Sequence, residues 1–246
     1  MNLNFENAIL LVAGKGERLK PLTEKSPKPL TEVNGIPILE NTLKNLASVG
    51  VKRVFLVTGH LNEKLISFAK ENSQGLEITE IHSPEFASTN NMFSLWRAKE
   101  ILQKGCLLLE GDVFFELEIL NRLSQENPKF SYWFVDKFTE ENDGCMLQTD
   151  KRKRITNLEI VRGKTFEDYL NRYKSIGIVS VTKNLGQKLC AWLDTEVEAK
   201  NVNVYFDLVV AKHLQEEEIK VLNIDGLKWF EIDDLEDLQK AEKLFS

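Results

Sequence analysis

Residues 10–30 read LLVAGKGERLKPLTEKSPKPL, an apolar run followed by two glycines, five basic side chains and a lysine held between two prolines. Gly14 and Gly16 leave successive backbone N–H groups unobstructed, as a concave anion site requires. Pro27 and Pro29 fix their own φ angles and bias the residue before each of them to extended backbone, so Lys28 is held in one direction. This stretch therefore predicts a phosphate-binding loop with an oriented lysine.

Two better-known glycine motifs do not match this loop. A dinucleotide-binding fingerprint needs a third glycine where this chain has Leu19, and a Walker-type loop needs Gly-Lys-Ser/Thr four residues beyond its first glycine. A surface turn with solvated charges is the alternative that the loop alone leaves open.

The composition of the whole chain excludes several classes of protein. Of the 246 residues, 42% are hydrophobic and 28% are charged, which is ordinary for a folded domain and unlike a disordered or fibrous chain. A net charge of −6 argues against nucleic acid as a partner, because phosphate backbones are held by a positive excess. Five basic and two acidic side chains fall within residues 10–30. This local excess favours a small polyanion.

Targeting signals and metal-type cysteine spacings are not found in the sequence. The first residues, MNLNFEN, contain no basic segment followed by an apolar run, and no stretch reaches membrane-spanning length. We therefore expect a cytoplasmic protein without a membrane partner. Cys106, Cys145 and Cys190 are odd in number and widely spaced, so they are predicted to be reduced packing residues.

Apolar patterns predict an alternating order of strands and helices. The first half has predicted strands at 7–12, 51–57, 76–81 and 106–109 and predicted helices at 38–49, 62–72 and 91–104. The second half has predicted strands at 130–135, 175–181 and 219–224, a hairpin at 145–160, and helices at 185–199, 206–215 and 235–245. We predict a doubly wound, mostly parallel, Rossmann-like α/β fold with a β-rich C-terminal elaboration, in one domain of residues 1–246. Ligands of such folds lie beyond the carboxyl ends of the strands, where the glycine loop follows strand one.

Two aspartates are candidate metal ligands. Asp112 follows an apolar strand, and an unpaired carboxylate in that position favours a cation as its counterpart. Its alternative is to cap a helix at 118–123. For Asp233 the residue pattern favours helix capping, because Glu236 stands three residues later as in a capping box.

The pair Asn90 and Asn91 precedes the predicted helix at 91–104. An asparagine in this position is a good N-cap. An amide also offers both donors and an acceptor, so the pair has the groups needed to contact a nucleotide base. The residue types alone leave both roles open.

Together these motifs resemble the sugar-phosphate-type nucleotidyltransferase superfamily, and within it the small cytidylyltransferases that act on phosphocholine and related aminoalkyl phosphates or phosphonates. The resembling stretches are spread over residues 9–245. They are LVAGKGERLKPLT (11–23), SPKP (26–29), NG (34–35) with Pro37, TNNMFSLW (89–96), EGD (110–112) and FEID (230–233).

The resemblance implies a site and a division of the domain. Residues 1–125 would form a nucleotide-binding half, and residues 126–246 would supply the acceptor site and a second metal carboxylate. Lys28 and Arg18 would be catalytic, and Asp112 and Asp233 would share Mg²⁺, which reverses the capping interpretation of Asp233. The residues that would contact the nucleoside triphosphate are Leu11, Val12, Ala13, Gly14, Lys15, Gly16, Glu17, Asn90, Asn91 and Gly111.

The reaction implied is CMP transfer from CTP to a small phosphorylated or phosphonate acceptor, with release of pyrophosphate. Phosphocholine, phosphoethanolamine and 2-aminoethylphosphonate are the candidate acceptors. An acceptor phosphate oxygen is already a nucleophile at neutral pH, so catalysis reduces to positioning and charge stabilisation. Lys137, Tyr205 and Asp207 are candidate acceptor contacts. Choline-specific relatives place a tryptophan near the position of Gly144 and Cys145, and no aromatic residue stands there.

The sequence leaves two other functions open. A sugar-1-phosphate nucleotidylyltransferase would use UTP, dTTP or GTP, but it usually carries a longer glycine-rich signature and a Gly-Thr-Ala-like stretch in place of residues 88–91. A catalytically silent nucleotide-binding regulatory module would be expected to have lost a metal carboxylate, whereas this chain keeps Asp112 and Asp233 together with Arg18 and Lys28.

Overall fold

The computed structural model describes residues 3, 5–163, 165–166 and 169–246, and the centre of this part of the chain is a nine-stranded sheet. The strands are β1 (Asn7–Val12), β2 (Glu32–Val33), β3 (Ile36–Pro37), β4 (Arg53–Thr58), β5 (Glu77–His82), β6 (Cys106–Glu110), β7 (Val113–Phe115), β8 (Ser131–Lys137), β9 (Gly144–Thr149), β10 (Ile155–Val161), β11 (Arg172–Val181), β12 (Ile219–Asn223) and β13 (Trp229–Glu231). The helices are α1 (Ile38–Ser48), α2 (Asn62–Glu71), α3 (Asn91–Arg97), α4 (Lys99–Leu102), α5 (Glu118–Arg122), α6 (Lys183–Glu198), α7 (Phe206–Lys212) and α8 (Leu235–Leu244).

The first half of the chain supplies the parallel strands β1, β4, β5 and β6 of the sheet. The strand order is β10-β9-β11-β6-β1-β4-β5, with β8 paired to β11 and β12. β1 runs parallel to β4 and β6, and Leu10 is in register with Leu56 on one side and Leu109 on the other. The prediction of a doubly wound α/β fold with a β-rich second half is confirmed, and the antiparallel strands enter through that second half. The carboxyl ends of β1 and β6 consequently lie side by side.

Alternating apolar side chains of β1 serve two cores. Leu10 packs in one core with Leu43 of α1, and Ile9 packs in the other with Leu95 of α3. Helices cover both faces of the sheet, so the strand is buried on both sides and has to be apolar throughout. This burial explains why the run that precedes the glycine loop contains no polar residue after Asn7.

The helix predicted at 91–104 is divided in the structure. α3 ends at Arg97 and α4 begins at Lys99, and the N–H of Ala98 donates to Leu95 O and Trp96 O instead of continuing a regular α-helix. The side chains of Trp96 and Lys99 both donate to Asp194 Oδ1, at 2.7 and 2.8 Å. A contact with α6, distant in sequence, therefore accompanies a break that the local apolar pattern does not indicate.

A small two-stranded sheet closes the site end of the fold. β13 pairs antiparallel with β7, with Phe230 opposite Phe114 and Glu231 opposite Val113. The pairing continues one step further, since Ile232 N donates to Asp112 O at 2.9 Å. This ladder brings the residues after β6 next to those before α8. Within the described residues no helix is both long and apolar enough to cross a membrane.

Candidate active site

The glycine loop after β1 packs directly on the lysine segment. Gly16 has a φ of +62°, and a Cβ there would lie 2.9 Å from Lys28 Cβ and 3.0 Å from Thr23 Cγ2. Thr23 Oγ1 donates to Gly16 O at 2.7 Å. A side chain at this position would be strained and would push Lys28 away. Gly14, by contrast, faces open space, with no atom within 4 Å of the place of its Cβ.

Gly111 allows β6 to end close against β1. A Cβ at this position would lie 2.5 Å from Val12 Cγ1. Its N–H donates to Leu11 O at 3.1 Å. A glycine is therefore required between Glu110 and Asp112, and its close approach directs both acidic residues toward the end of β1.

Lys28 joins the two aspartates that the sequence singled out. Its Nζ lies 2.8 Å from Asp112 Oδ2 and 2.8 Å from Asp233 Oδ1. Arg18 Nη2 lies 2.8 Å from the other oxygen of Asp233, Oδ2. Burial opposes the charged form of Lys28, but the two carboxylates prevail and raise its pKa above the usual range. In the same way burial acts to raise the pKa of Asp233, and Lys28 and Arg18 lower it, so both groups are ionised together.

Asp233 does not cap α8, because its neighbour does. Asp234 accepts from Glu236 N at 2.8 Å and from Asp237 N at 3.0 Å, and Asp237 completes the capping box. The capping interpretation favoured by the residue pattern was therefore wrong by one position. Likewise, the N-cap of α5 is Leu117, which makes no side-chain cap hydrogen bond, so Asp112 does not cap that helix. Both candidate metal carboxylates are left to face the cavity.

The carboxylates around Asp112 fit a divalent cation. Asp112 Oδ1 is buried without a hydrogen-bond partner among the described residues. Glu110, Asp112 and Glu231 each offer an oxygen atom within 4.8 Å of the others. Hard cations such as Mg²⁺ take carboxylate oxygens as ligands, and a buried polar atom normally has a partner. Asp112 and Asp233, with Glu110 and Glu231 beside them, are the residues present that could hold such an ion.

Asn90 and Asn91 have structural contacts of their own. Asn90 Oδ1 accepts from Asn91 N at 2.8 Å and so caps α3. Asn91 Nδ2 donates to Glu110 Oε1 at 3.1 Å, and Asn91 Oδ1 accepts from Phe206 N at 2.9 Å. Asn91 thus ties the first residue of α7 to the acidic residue at the end of β6.

These residues surround a cavity of about 400 Å³ at the carboxyl ends of β1 and β6. The predicted site residues that line it are Leu11, Val12, Ala13, Gly14, Gly16, Glu17, Arg18, Lys28, Asn90, Asn91, Gly111, Asp112, Tyr205 and Asp233. Lys15 is exposed and is not part of this lining. Lys137 lies elsewhere, with its Nζ 3.6 Å from Asp225 Oδ2. Its assignment to the acceptor phosphate stays a prediction.

A smaller recess of about 80 Å³ adjoins the cavity and contains Asp207. Tyr205 lines both spaces and is the sole aromatic residue among the described residues of the recess. Burial raises the pKa of Asp207, although hydrogen bonds from its own backbone and from Cys145 act in the opposite direction. Burial also raises the pKa of Glu110 well above its usual value, with a further contribution from Asp207. Two buried acids therefore meet here.

Several residues of the site were not assigned from the sequence, among them Phe86 and Arg162 of the cavity lining. Glu110 and Glu231 stand inside the resembling motifs, which was the available signal. Lys174 lies between Tyr173 and Ser175 in β11, where no motif marks it. Lys174 Nζ lies 2.6 Å from Glu231 Oε2, and its side chain is 8% exposed. Cys145, expected to be a packing residue, lines the recess.

Comparison with known proteins identifies relatives over most of the chain. Residues 7–159 match the family model described as Nucleotidyl transferase. A CMP-5'-(3-aminopropyl)phosphonate synthase of Streptomyces rubellomurinus is 32% identical over 97% of this chain, and the chain spans 38% of that protein's length. A 2-aminoethylphosphonate cytidylyltransferase of Lancefieldella rimae is 27% identical over 96% of this chain and 92% of its own length.

A solved structure shares the fold. The CTP:phosphocholine cytidylyltransferase of Streptococcus pneumoniae superposes with a TM-score of 0.82 and 22% identity, covering 98% of this chain and 99% of that one. At that identity the likeness concerns the fold.

Proposed function

Since this chain belongs to the nucleotidyl transferase family, we propose that it transfers CMP from CTP to a small acceptor that carries a phosphate or phosphonate group and a primary amine. Pyrophosphate is the second product. The observation that carries the proposal is the convergence of Lys28, Asp112 and Asp233 on one cavity that the glycine loop borders.

The glycine loop is the proposed triphosphate site. Gly14 and Gly16 line the cavity, and no neighbouring atom crowds Gly14. Backbone N–H groups in such a loop bind phosphate oxygens without a competing side chain. Arg18 borders the same cavity with a side chain that is 59% exposed, so its guanidinium has room to follow the leaving pyrophosphate.

The transfer itself needs charge stabilisation more than proton transfer. An acceptor phosphonate or phosphate oxygen is ionised at neutral pH and attacks the α-phosphorus in line, while the bond to pyrophosphate breaks. Lys28 carries a full positive charge, because its pKa is raised. It lies where it can neutralise charge that develops on the phosphoryl oxygens. This accounts for a cavity whose described lining contains neither histidine nor cysteine.

Members of this family generally use a divalent metal ion, and we assign Mg²⁺ to Asp112 and Asp233. When bound, the ion would supply positive charge to the triphosphate and the departing pyrophosphate. The buried Oδ1 of Asp112, which no hydrogen-bonding group of the described residues contacts, supports this assignment.

Cytosine is the proposed base because the two relatives described above, which match over nearly the whole chain, are named as a CMP-phosphonate synthase and a cytidylyltransferase. The backbone of Leu11–Ala13 and the side chains of Thr89, Asn90 and Ser94 border the cavity on the side of β1 and α3. These groups offer hydrogen-bond donors and acceptors suited to a pyrimidine edge.

The recess around Asp207 favours a primary amine on the acceptor. A trimethylammonium group is usually held between aromatic faces, and Tyr205 is the one aromatic residue that the described part of the recess provides. A primary ammonium donates three hydrogen bonds. Among the described residues no ion pair reaches Asp207 or Glu110, and Lys174, which attracts both acids, pairs directly with Glu231 at 2.6 Å. An aminoalkyl phosphonate or phosphate therefore fits better than phosphocholine.

A matrix of substrates tests the proposal. The protein is incubated with Mg²⁺ and each of CTP, UTP, dTTP and GTP against 2-aminoethylphosphonate, phosphoethanolamine, phosphocholine and glucose 1-phosphate, and pyrophosphate is followed. We expect CTP with a primary-amine acceptor to give the highest kcat/KM. Preference for a sugar phosphate with another nucleotide would overturn the proposal, and no turnover in any combination would indicate a silent module.

Variants test the residue roles within that assay. Lys28→Ala and Asp112→Ala should lose about 10²–10³-fold in kcat, the range for one preorganised charge-stabilising group. Lys25→Ala is the matched control, since Lys25 is an exposed lysine of the same segment. Asp207→Asn should raise KM for the acceptor by about tenfold while KM for CTP changes little.

A further inference from the structure

The Lys28 ammonium contacts one oxygen of each of the two aspartates assigned to the metal ion. Its Nζ contacts Asp112 Oδ2 and Asp233 Oδ1 at 2.8 Å each, and the side chain is 13% exposed. A lysine that bridges two acidic groups so closely is more than a charge aimed at substrate. It is an internal cation for the acidic pair.

We propose that Lys28 couples metal binding to nucleotide binding. In this inference, which rests on the proposed function, the Lys28 ammonium competes with the divalent ion for Asp112 and Asp233, and the triphosphate releases those carboxylates by drawing Lys28 to itself. The metal then binds weakly to the protein alone and tightly once the nucleotide is present.

The competition between the Lys28 ammonium and the divalent ion follows from electrostatics. Two cations that share the same oxygens repel each other strongly in a partly buried site. Asp233 is already contacted by two cations, because Arg18 reaches its second oxygen. Within the described part of the chain the buried Asp112 Oδ1 has no hydrogen-bond partner, so the acidic pair retains capacity for a ligand. A divalent ion that also uses the oxygens facing Lys28 has to displace the ammonium.

The course of the Lys28 side chain shows how the nucleotide would displace it. The Cβ and Cδ atoms of Lys28 lie 2.9 and 3.4 Å from the place of a Cβ on Gly16, so the aliphatic stem runs along the glycine loop. Phosphates bound at that loop would lie beside the stem, and a rotation of the outer side-chain bonds would move the ammonium from carboxylates to phosphates. Pro27 and Pro29 hold the backbone, which confines the change to the side chain.

Linkage makes the coupling measurable from either side. If nucleotide raises the metal affinity by some factor, the metal raises the nucleotide affinity by the same factor. Removing the ammonium should remove the competition and with it the part of the coupling that Lys28 carries.

Mn²⁺ binding tests the inference without reference to turnover. Free Mn²⁺ is measured by electron paramagnetic resonance in titrations of wild type, Lys28→Met and the control Lys25→Met, without nucleotide and with a CTP analogue that has a methylene group between the α- and β-phosphates. Without nucleotide we expect Lys28→Met to bind Mn²⁺ about tenfold more tightly than wild type, which corresponds to the loss of one hydrogen bond between charged groups. Lys25→Met should match wild type.

The analogue should raise the Mn²⁺ affinity of wild type by a larger factor than it raises that of Lys28→Met. Because the analogue itself binds the same amount of Mn²⁺ in both titrations, its contribution cancels when the two factors are compared. Lys28→Gln repeats the test with a polar side chain, and circular dichroism checks that each variant is folded. Equal or weaker Mn²⁺ binding by folded Lys28→Met, with binding lost in Asp112→Asn, would overturn the coupling and leave the proposed metal site intact. No Mn²⁺ binding by any variant beyond that of the free analogue would refute the metal assignment itself.

Discussion

Substitutions of the two adjacent aspartates before α8 should have different effects, one on turnover and the other on stability. Asp233 faces Lys28 and Arg18, whereas Asp234 caps the helix through Glu236 N and Asp237 N. We expect Asp233→Asn to abolish most turnover in a stable protein. Asp234→Ala should give a less stable protein that remains active.

The structure sets the size of each effect. Loss of the N-cap at Asp234 removes two backbone hydrogen bonds and costs about 1 kcal/mol, which lowers Tm by about 2–4 °C for a chain of this length. The Asp233 side chain is 25% exposed and one of its partners, Arg18, is 59% exposed. The ion pair with the exposed Arg18 therefore contributes about 1 kcal/mol or less to stability. The mostly buried Lys28 keeps its ion pair with Asp112 in the variant. Loss of the Asp233 carboxylate from the reacting centre should lower kcat by about 10²–10³-fold.

Pyrophosphate release and thermal unfolding, measured on the same preparations, check both effects. Wild type and Asp237→Ala, which removes the second half of the capping box, are the references. Near wild-type turnover in Asp233→Asn would refute the assignment of this carboxylate to the reaction. A loss of turnover in Asp234→Ala as large as that in Asp233→Asn, with no fall in Tm, would show that the division between the two residues is wrong.

Three further predictions follow from individual contacts. Gly16→Ala should lower Tm by several degrees, because the left-handed backbone and the contact with Lys28 oppose a methyl group by about 1–2 kcal/mol, whereas Gly14→Ala should leave Tm nearly unchanged; equal shifts would contradict this difference. Burial raises the pKa of Asp207, so the folded chain binds this proton more tightly than the unfolded chain, and stability is lost as pH rises from the ordinary carboxyl pKa of about 3.9 through the raised value. The Tm of Asp207→Asn should therefore equal that of wild type below about pH 4 and exceed it by a growing margin above that pH. A difference in Tm that is the same at all pH values would contradict the raised pKa of Asp207. Chelation by EDTA should abolish turnover and excess Mg²⁺ should restore it, and full activity in EDTA would refute the role of a divalent ion.

Local patterns in the sequence were sufficient to predict the fold class. The alternation of apolar strands and amphipathic helices predicted the doubly wound fold, because burial on both faces leaves a clear signature in each element. The short strands β7 and β13 were not predicted, since three residues each carry little periodicity and their pairing joins segments over 100 residues apart. The break at Ala98 was missed because the contacts that accompany it lie on α6.

The positions of the charged residues in the site were harder to predict from the sequence, because these residues are placed by long-range contacts. Lys174 is paired with Glu231 across the chain, and no spacing in the sequence joins them. Asn90 caps α3, and Asn91 contacts Glu110 at the end of β6, whereas contact of this pair with a nucleotide base stays a prediction. Such pairings arise when strands assemble, and a pattern confined to one segment does not encode them.

By itself the sequence determined the glycine loop, the proline-flanked Lys28 and the strand that ends two residues before Asp112, because each depends on the preferences of adjacent residues. Tertiary structure decided that Asp233, and not Asp234, faces Lys28. The two aspartates are adjacent and chemically identical, and what distinguishes them is the register of β13 against β7, with Ile232 N bonded to Asp112 O. That register directs one carboxylate toward the cavity and leaves the next to cap α8.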